Sequence, residues 1–191
     1  MKLLRENEAQ YMKIPASVII MTKNEALNIS KCLNVCQYFQ EVIVVDSNST
    51  DGTREIAESF GVKVVNFSWN GKYPKKKQWI LDNVRTSHDW VLHLDADEEV
   101  TQEFCAEIES FLQKNGKDYV ACRVRISYYF MHKQLRHGQQ IRKTAFIRKG
   151  YCEYPVLNDL ASTGIRDTDS ISKEHDVRKK ICAHCRPNGL R

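Results

Sequence analysis

Four apolar runs punctuate the first half of the chain: ASVIIM (16–21), EVIVVDS (41–47), GVKVVNF (61–67) and DWVLHLDA (89–96). Each has strand length and little polar alternation, the pattern of a strand buried on both faces. Between them the apolar positions move to helical spacing. Leu27, Cys32, Leu33, Val35, Cys36 and Phe39 predict a first helix with Asn24 at its N-cap. REIAESF predicts a second, stopped by Gly61. Pro74 is expected to open a third that reaches Arg85 and buries Trp79, Ile80 and Val84. Thr101 is expected to cap a fourth, TQEFCAEIESFLQKN, with Phe104, Ile108, Phe111 and Leu112 inward and Gly116 ending it. DYVACRVRIS (118–127) then alternates apolar and polar residues, and QIRKTAFIRKG (140–150) reads as a last strand. From about residue 155 the periodicity fades.

Alternating buried strands and helices predict an α/β domain with a mostly parallel sheet and helices on both faces. The expected domain covers 1–155, followed by a weakly patterned segment, 156–191. Ligands of such sheets sit at the carboxyl ends of the strands. The polar residues fall there: Thr22, Asn24 and Glu25 after the first strand, Asp46 to Asp51 after the second, Asp95 and Asp97 after the fourth.

Composition narrows the class. In 191 residues, 42% are hydrophobic and 28% charged, which fits a folded chain and not a disordered one. No apolar run approaches the roughly 18–20 residues of a membrane span. MKLLRENEAQ has no apolar signal region or cleavage site. Most of the seven cysteines lie in apolar patterns, as reduced cysteine does, so a cytoplasmic location is expected. The net charge of +5 is concentrated at Lys75, Lys76 and Lys77 and in a basic stretch from Arg123 to Lys149. Such clusters attract diphosphates, phosphorylated acceptors or anionic lipid. Contact with the inner face of a membrane is therefore expected through Arg136 and Arg142. A solvated face is the plainer account of the same charge.

Two hard carboxylates two residues apart, Asp95 and Asp97, would face one way on an extended chain and suit Mg²⁺ or Mn²⁺ completed by phosphate oxygens. The plainer account is an acidic strand-to-helix turn that favours the next helix N-terminus. Asp46 can accept from a base or a ribose hydroxyl, or cap its own turn. Cys182, His184 and Cys185 cluster, but three ligands without a fourth make a poor zinc site.

SVIIMTKNEALNISKCL, VIVVDSNSTDGT and WVLHLDADEEV, in that order and spacing, resemble the signature of family 2 glycosyltransferases of GT-A (Rossmann-like) fold. The lysine stretch before QWIL, and YYFMHKQLRHGQ, resemble the lipopolysaccharide-core and cell-surface polysaccharide subgroup. The resemblance covers about 15–155. It implies a metal-dependent, inverting hexosyltransferase that moves a sugar from a nucleotide-sugar donor, UDP-linked by expectation, to a glycan or glycolipid acceptor. It implies nucleotide contacts from Thr22, Asn24, Glu25, Asp46, Lys77 and Asp95, and metal contacts from Asp95 and Asp97. Inversion needs a general base. Glu153, Asp159 and Glu174 are the candidates, because the end of the chain departs from the family pattern and reads as a short or truncated acceptor-side region.

Other readings stand beside this one. A nucleotide-sugar-binding protein without transferase activity would keep Asp46, Asp95 and Asp97. A haloacid dehalogenase-type phosphatase would place its DxD on the first strand and a Thr or Val where Glu99 stands. A nucleotidyltransferase would want glycines in TKNEALN. Nucleic-acid binding would use the basic stretches, but aromatic interleaving like that of known platforms is absent.

Overall fold

The computed structural model describes residues 13–130, 133–134, 142–154 and 181–182. Asp159, Glu174, Arg136 and the His184–Cys185 pair lie outside them. In chain order the elements are β1 (Ile14–Thr22), α1 (Ile29–Cys36), β2 (Phe39–Asp46), α2 (Thr53–Ser59), β3 (Lys63–Asn66), α3 (Lys76–Asn83), β4 (Trp90–Asp95) and α4 (Gln102–Lys114). β5 (Ala121–Arg125), β6 (Tyr129–Phe130), β7 (Lys133–Gln134), β8 (Arg142–Arg148) and β9 (Ile181–Cys182) follow. Seven strands form one sheet in the order β3-β2-β1-β4-β8-β5-β9, and β6 pairs with β7. β8 runs antiparallel to both β4 and β5; the other pairings of the sheet are parallel. This is the mostly parallel α/β sheet that the sequence predicts.

The continuous apolar runs have a direct cause. Val18, Ile20, Val44, Leu92 and Leu94 belong to one core layer, with Ile29, Cys32 and Leu33 of α1 and Phe104, Ile108 and Phe111 of α4. Their neighbours Ile19, Ile43, Val45 and Val91 belong to the opposite layer, with Ile80 of α3 and with Val84. Successive side chains on a strand point to opposite faces, so a sheet covered on both sides needs apolar residues at every position. Cys32, Cys36 and Cys105 are buried there, and burial lifts the Cys105 thiol to about 12. These cysteines act as small core residues.

Aromatic packing seats β8 beside β4. Trp90 stacks on Phe146 at 4.7 Å between ring centroids and meets Phe111 edge-on at 5.2 Å. Such contacts add to the burial of large rings. Among the described residues no helix is long and apolar enough to cross a membrane.

Two helix starts differ from the sequence reading. α1 begins at Ile29 with Asn28 in the cap position, not at Asn24. Asn24 has φ 55°, left-handed backbone that asparagine tolerates and a helix N-cap does not use. α3 begins at Lys76 with Lys75 at its N-cap, so Pro74 precedes the helix instead of opening it. Thr101 does cap α4: its side chain accepts from the Phe104 N–H at 3.2 Å.

Candidate functional site

Parallel register sets three strand ends side by side. Thr22 is opposite Asp46, and Met21 is opposite Asp95. At the first junction, buried Thr22 donates its hydroxyl to Asp46 Oδ1 at 2.8 Å. Asp46 also accepts from Ser49 N at 2.9 Å and Ser49 Oγ at 2.5 Å. A carboxylate has about four acceptor sites, so Asp46 first of all organises the turn that follows it. Asn24 and Glu25 fasten the β1 loop to the β2 loop. Asn24 N donates to Ser49 Oγ and Asn24 Oδ1 accepts from Thr50 N, while Glu25 N donates to Thr53 Oγ1.

Burial works to raise the Asp46 pKa. The bonds from Ser49 and Thr22 and the charge of Lys76 outweigh it and hold the carboxyl below its usual value. A folded-state pKa below the unfolded value of about 3.9 means that ionised Asp46 stabilises the fold. That contribution is present above about pH 4 and is lost as pH falls through the folded pKa. Asp46→Asn is expected to lower stability at neutral pH and to flatten its decline below about pH 4, read from thermal unfolding across pH.

The second junction is acidic. β4 stops at Asp95, and residues 96–97 form a turn, so Asp95 and Asp97 do not share a strand face. Both still line one cavity of about 400 Å³, with Asn28, Glu99, Ser127 and Tyr128, because the residue between them, Ala96, is buried in the core. Asp95 is half-buried and Asp97 exposed.

Two residues that sequence reasoning missed hold this turn. Buried Glu98 accepts the Asp95 N–H at 3.0 Å. Lys143, from β8, places Nζ 2.5 and 2.6 Å from the two Glu98 oxygens and 3.1 Å from Asp95 Oδ2. Burial works to lower the Lys143 pKa, but the charges of Glu98 and Asp95 outweigh it and hold the ammonium above its ordinary value. The signal was slight: a lysine opening an apolar strand. Its partner depends on β8 lying next to β4, which no local pattern states.

The lysines of α3 take separate positions. Lys76 Nζ donates to Thr22 O at 3.0 Å and Ser47 Oγ at 2.7 Å, beneath the strand ends, and burial pulls its pKa down to about 8. Lys77, the expected nucleotide contact, lies over the Tyr154 ring at 5.9 Å. Tyr154 OH meets His93 Nδ1 at 3.2 Å; burial, then Lys77 and Lys143, push the His93 pKa down to about 3. Tyr154 N donates to Gln78 Oε1, and Tyr73 OH donates to Tyr154 O, so residue 154 is fastened to α3 and the loop before it. Its neighbour Glu153 is exposed.

Among the described residues, no three His, Cys, Asp or Glu side chains come together as a complete metal site. Mg²⁺ and Mn²⁺ do not require one: one or two carboxylates suffice when waters and phosphate oxygens complete the shell. Asp95 and Asp97, opening on a polar cavity, fit a cation held that way.

The chain is similar to known glycosyltransferases. The profile described as Glycosyl transferase family 2 matches residues 17–169. An uncharacterized glycosyltransferase of Rickettsia bellii is 42% identical over 173 residues, 86% of this chain and 55% of that protein. The lipopolysaccharide core biosynthesis glycosyltransferase LpsC of Rhizobium meliloti is 28% identical over 185 residues, 92% of this chain and 64% of that protein. The matches span 37 to 56% of the length of five Rickettsia relatives. The crystal structure of S. aureus TarS 1-349 superposes with a TM-score of 0.49 at 27% identity, covering 59% of this chain and 35% of that one.

Proposed function

Because the chain belongs to glycosyl transferase family 2, we propose that its strand-end cavity takes a nucleotide-sugar donor, UDP-linked, together with Mg²⁺ or Mn²⁺. The sugar then passes, with inversion, to a surface-polysaccharide or lipid-linked acceptor. The observation that carries this reading is the Asp95–Asp97 turn, which opens on a 400 Å³ polar cavity at the end of β4, the neighbour of β1; Thr22, Asn24, Glu25, Asp46 and Lys77 are not among the residues that line it. The relative LpsC, named for lipopolysaccharide core biosynthesis, supports the acceptor class.

Each residue has a distinct task in this reading. Asp46 and Thr22 hold the β2 turn in shape, and Asp46 keeps about one acceptor site for the nucleoside. Asn24 and Glu25 lock the neighbouring loop, so the pocket wall is set before the donor arrives. Lys76 supplies positive charge under the strand ends, and Lys77 supplies it beside Tyr154. Asp95 and Asp97 hold the cation, whose chemistry is to neutralise charge on the departing diphosphate. A general base, usually a carboxylate in this family, takes the acceptor hydroxyl's proton. Glu153 is the candidate among the described residues, with Asp159 and Glu174 as the others. The donor side of the reaction faces the cytoplasm.

Calorimetric titration of UDP with and without Mn²⁺ tests the reading. Binding that requires the metal is expected. If neither UDP nor any other nucleoside diphosphate binds, the donor-site reading fails. Metal-dependent binding with no transfer to any glycan or glycolipid would leave a binding protein in place of a transferase.

A further inference from the structure

Lys143 stands where its charge competes with any cation drawn to Asp95. Its side chain is 13% exposed and enters from β8, a strand held between β4 and β5. The closer contacts are to Glu98, whose side chain is 9% exposed and whose Oε2 also accepts the Asp95 N–H. Glu98 is thus a fixed seat for the ammonium. Asp95 is different: its side chain is 50% exposed, and one of its oxygens, Oδ2, receives Lys143 at 3.1 Å while the residue lines the cavity. One carboxylate is shared between a built-in cation and the space where a divalent one would arrive.

Building on the donor-site reading, we infer that Lys143 is a positioning residue that makes divalent-cation binding at Asp95 and Asp97 conditional on the donor's diphosphate. A +1 and a +2 charge drawn to the same carboxylate repel each other, and partial burial weakens the screening between them. A bare metal ion therefore meets a site whose charge is already partly neutralised. The diphosphate reverses the sign of the interaction. It brings negative charge that attracts both cations, so the three charges attract where two repelled. Metal and nucleotide then bind cooperatively. Linkage makes the effect reciprocal: UDP raises Mn²⁺ affinity by the factor by which Mn²⁺ raises UDP affinity.

The test is a full binding cycle by calorimetry: Mn²⁺ into the protein and into its UDP complex, and UDP into each metal state. Native protein is compared with Lys143→Met and with Lys143→Arg, which keeps the cation. Lys143→Met strands the buried Glu98 carboxylate and can fail to fold. The pair Glu98→Gln and Glu98→Gln/Lys143→Met therefore repeats the comparison without that charge. Loss of the ammonium is expected to tighten binding of Mn²⁺ alone on the order of tenfold and to shrink the coupling factor to a similar degree, with Lys143→Arg close to native. A folded variant without the ammonium whose Mn²⁺ affinity is unchanged or weaker, or whose coupling is intact, would overturn the inference. Failure of the donor-site reading has its own signature: native protein would bind no Mn²⁺ with UDP at all, and this inference would fall with it.

Discussion

Exchanging Asp95 and Asp97 together for alanine is expected to weaken UDP binding in Mn²⁺ by roughly 100-fold, the loss of two charge-assisted contacts worth about 1.5 kcal/mol each. What remains should equal the binding of native protein without metal, because the loops around Thr22, Asp46 and Ser49 do not depend on either aspartate. The fold should persist. Asp97 is exposed, and Lys143 keeps its two shorter contacts to Glu98. Paired titrations with UDP and Mn²⁺, plus a thermal melt of each protein, check both halves. Nucleotide binding that still requires Mn²⁺ in the double variant would remove these residues from the metal's coordination.

Glu98→Ala should act the other way, on the fold before the ligand. It strips Lys143 of its two closest contacts in a site where both side chains are largely buried, and it takes the acceptor from Asp95 N–H. Removing one partner of a buried pair typically costs about 3–5 kcal/mol, because the other charge is left without compensation. The remaining bond to Asp95, and the freedom of a buried lysine to lose its proton, should keep the cost near the lower end of that range. Replacing both partners, Glu98→Ala with Lys143→Met, is expected to recover most of the loss, since an uncharged pair leaves no stranded ion. Denaturant midpoints of the three proteins measure this directly. A single variant as stable as the native protein would mean that water reaches the pair.

Much of this architecture was legible in the chain because its causes are local. Strands flanked by two packed layers are apolar at nearly every position: VIVV is so throughout, and WVLHL departs only at His93, which is buried and meets Tyr154 OH. The capping hydroxyl of Thr101 lies three residues from the N–H it bonds. The joined polar strand ends also follow from a local rule, once alternating strands and helices imply a parallel sheet. What escaped depends on residues far apart in sequence. Asn24 reads as a cap, but its backbone conformation answers to Ser49 and Thr50 across the loop pair. Lys76 and Lys77 are indistinguishable as letters, yet one reaches the strand ends and the other Tyr154, because adjacent helical residues point about 100° apart.

The acidic turn draws the line most clearly. Its place at the end of a buried strand, and the chemistry of two carboxylates there, were set by the sequence of residues 91–97. That a third acid, Glu98, turns inward, and that a lysine 45 residues later answers it, were decided by the insertion of antiparallel β8 between β4 and β5. Local periodicity specifies which residues are buried. Which buried charges meet is a property of strand order, and strand order exists only once the chain has folded.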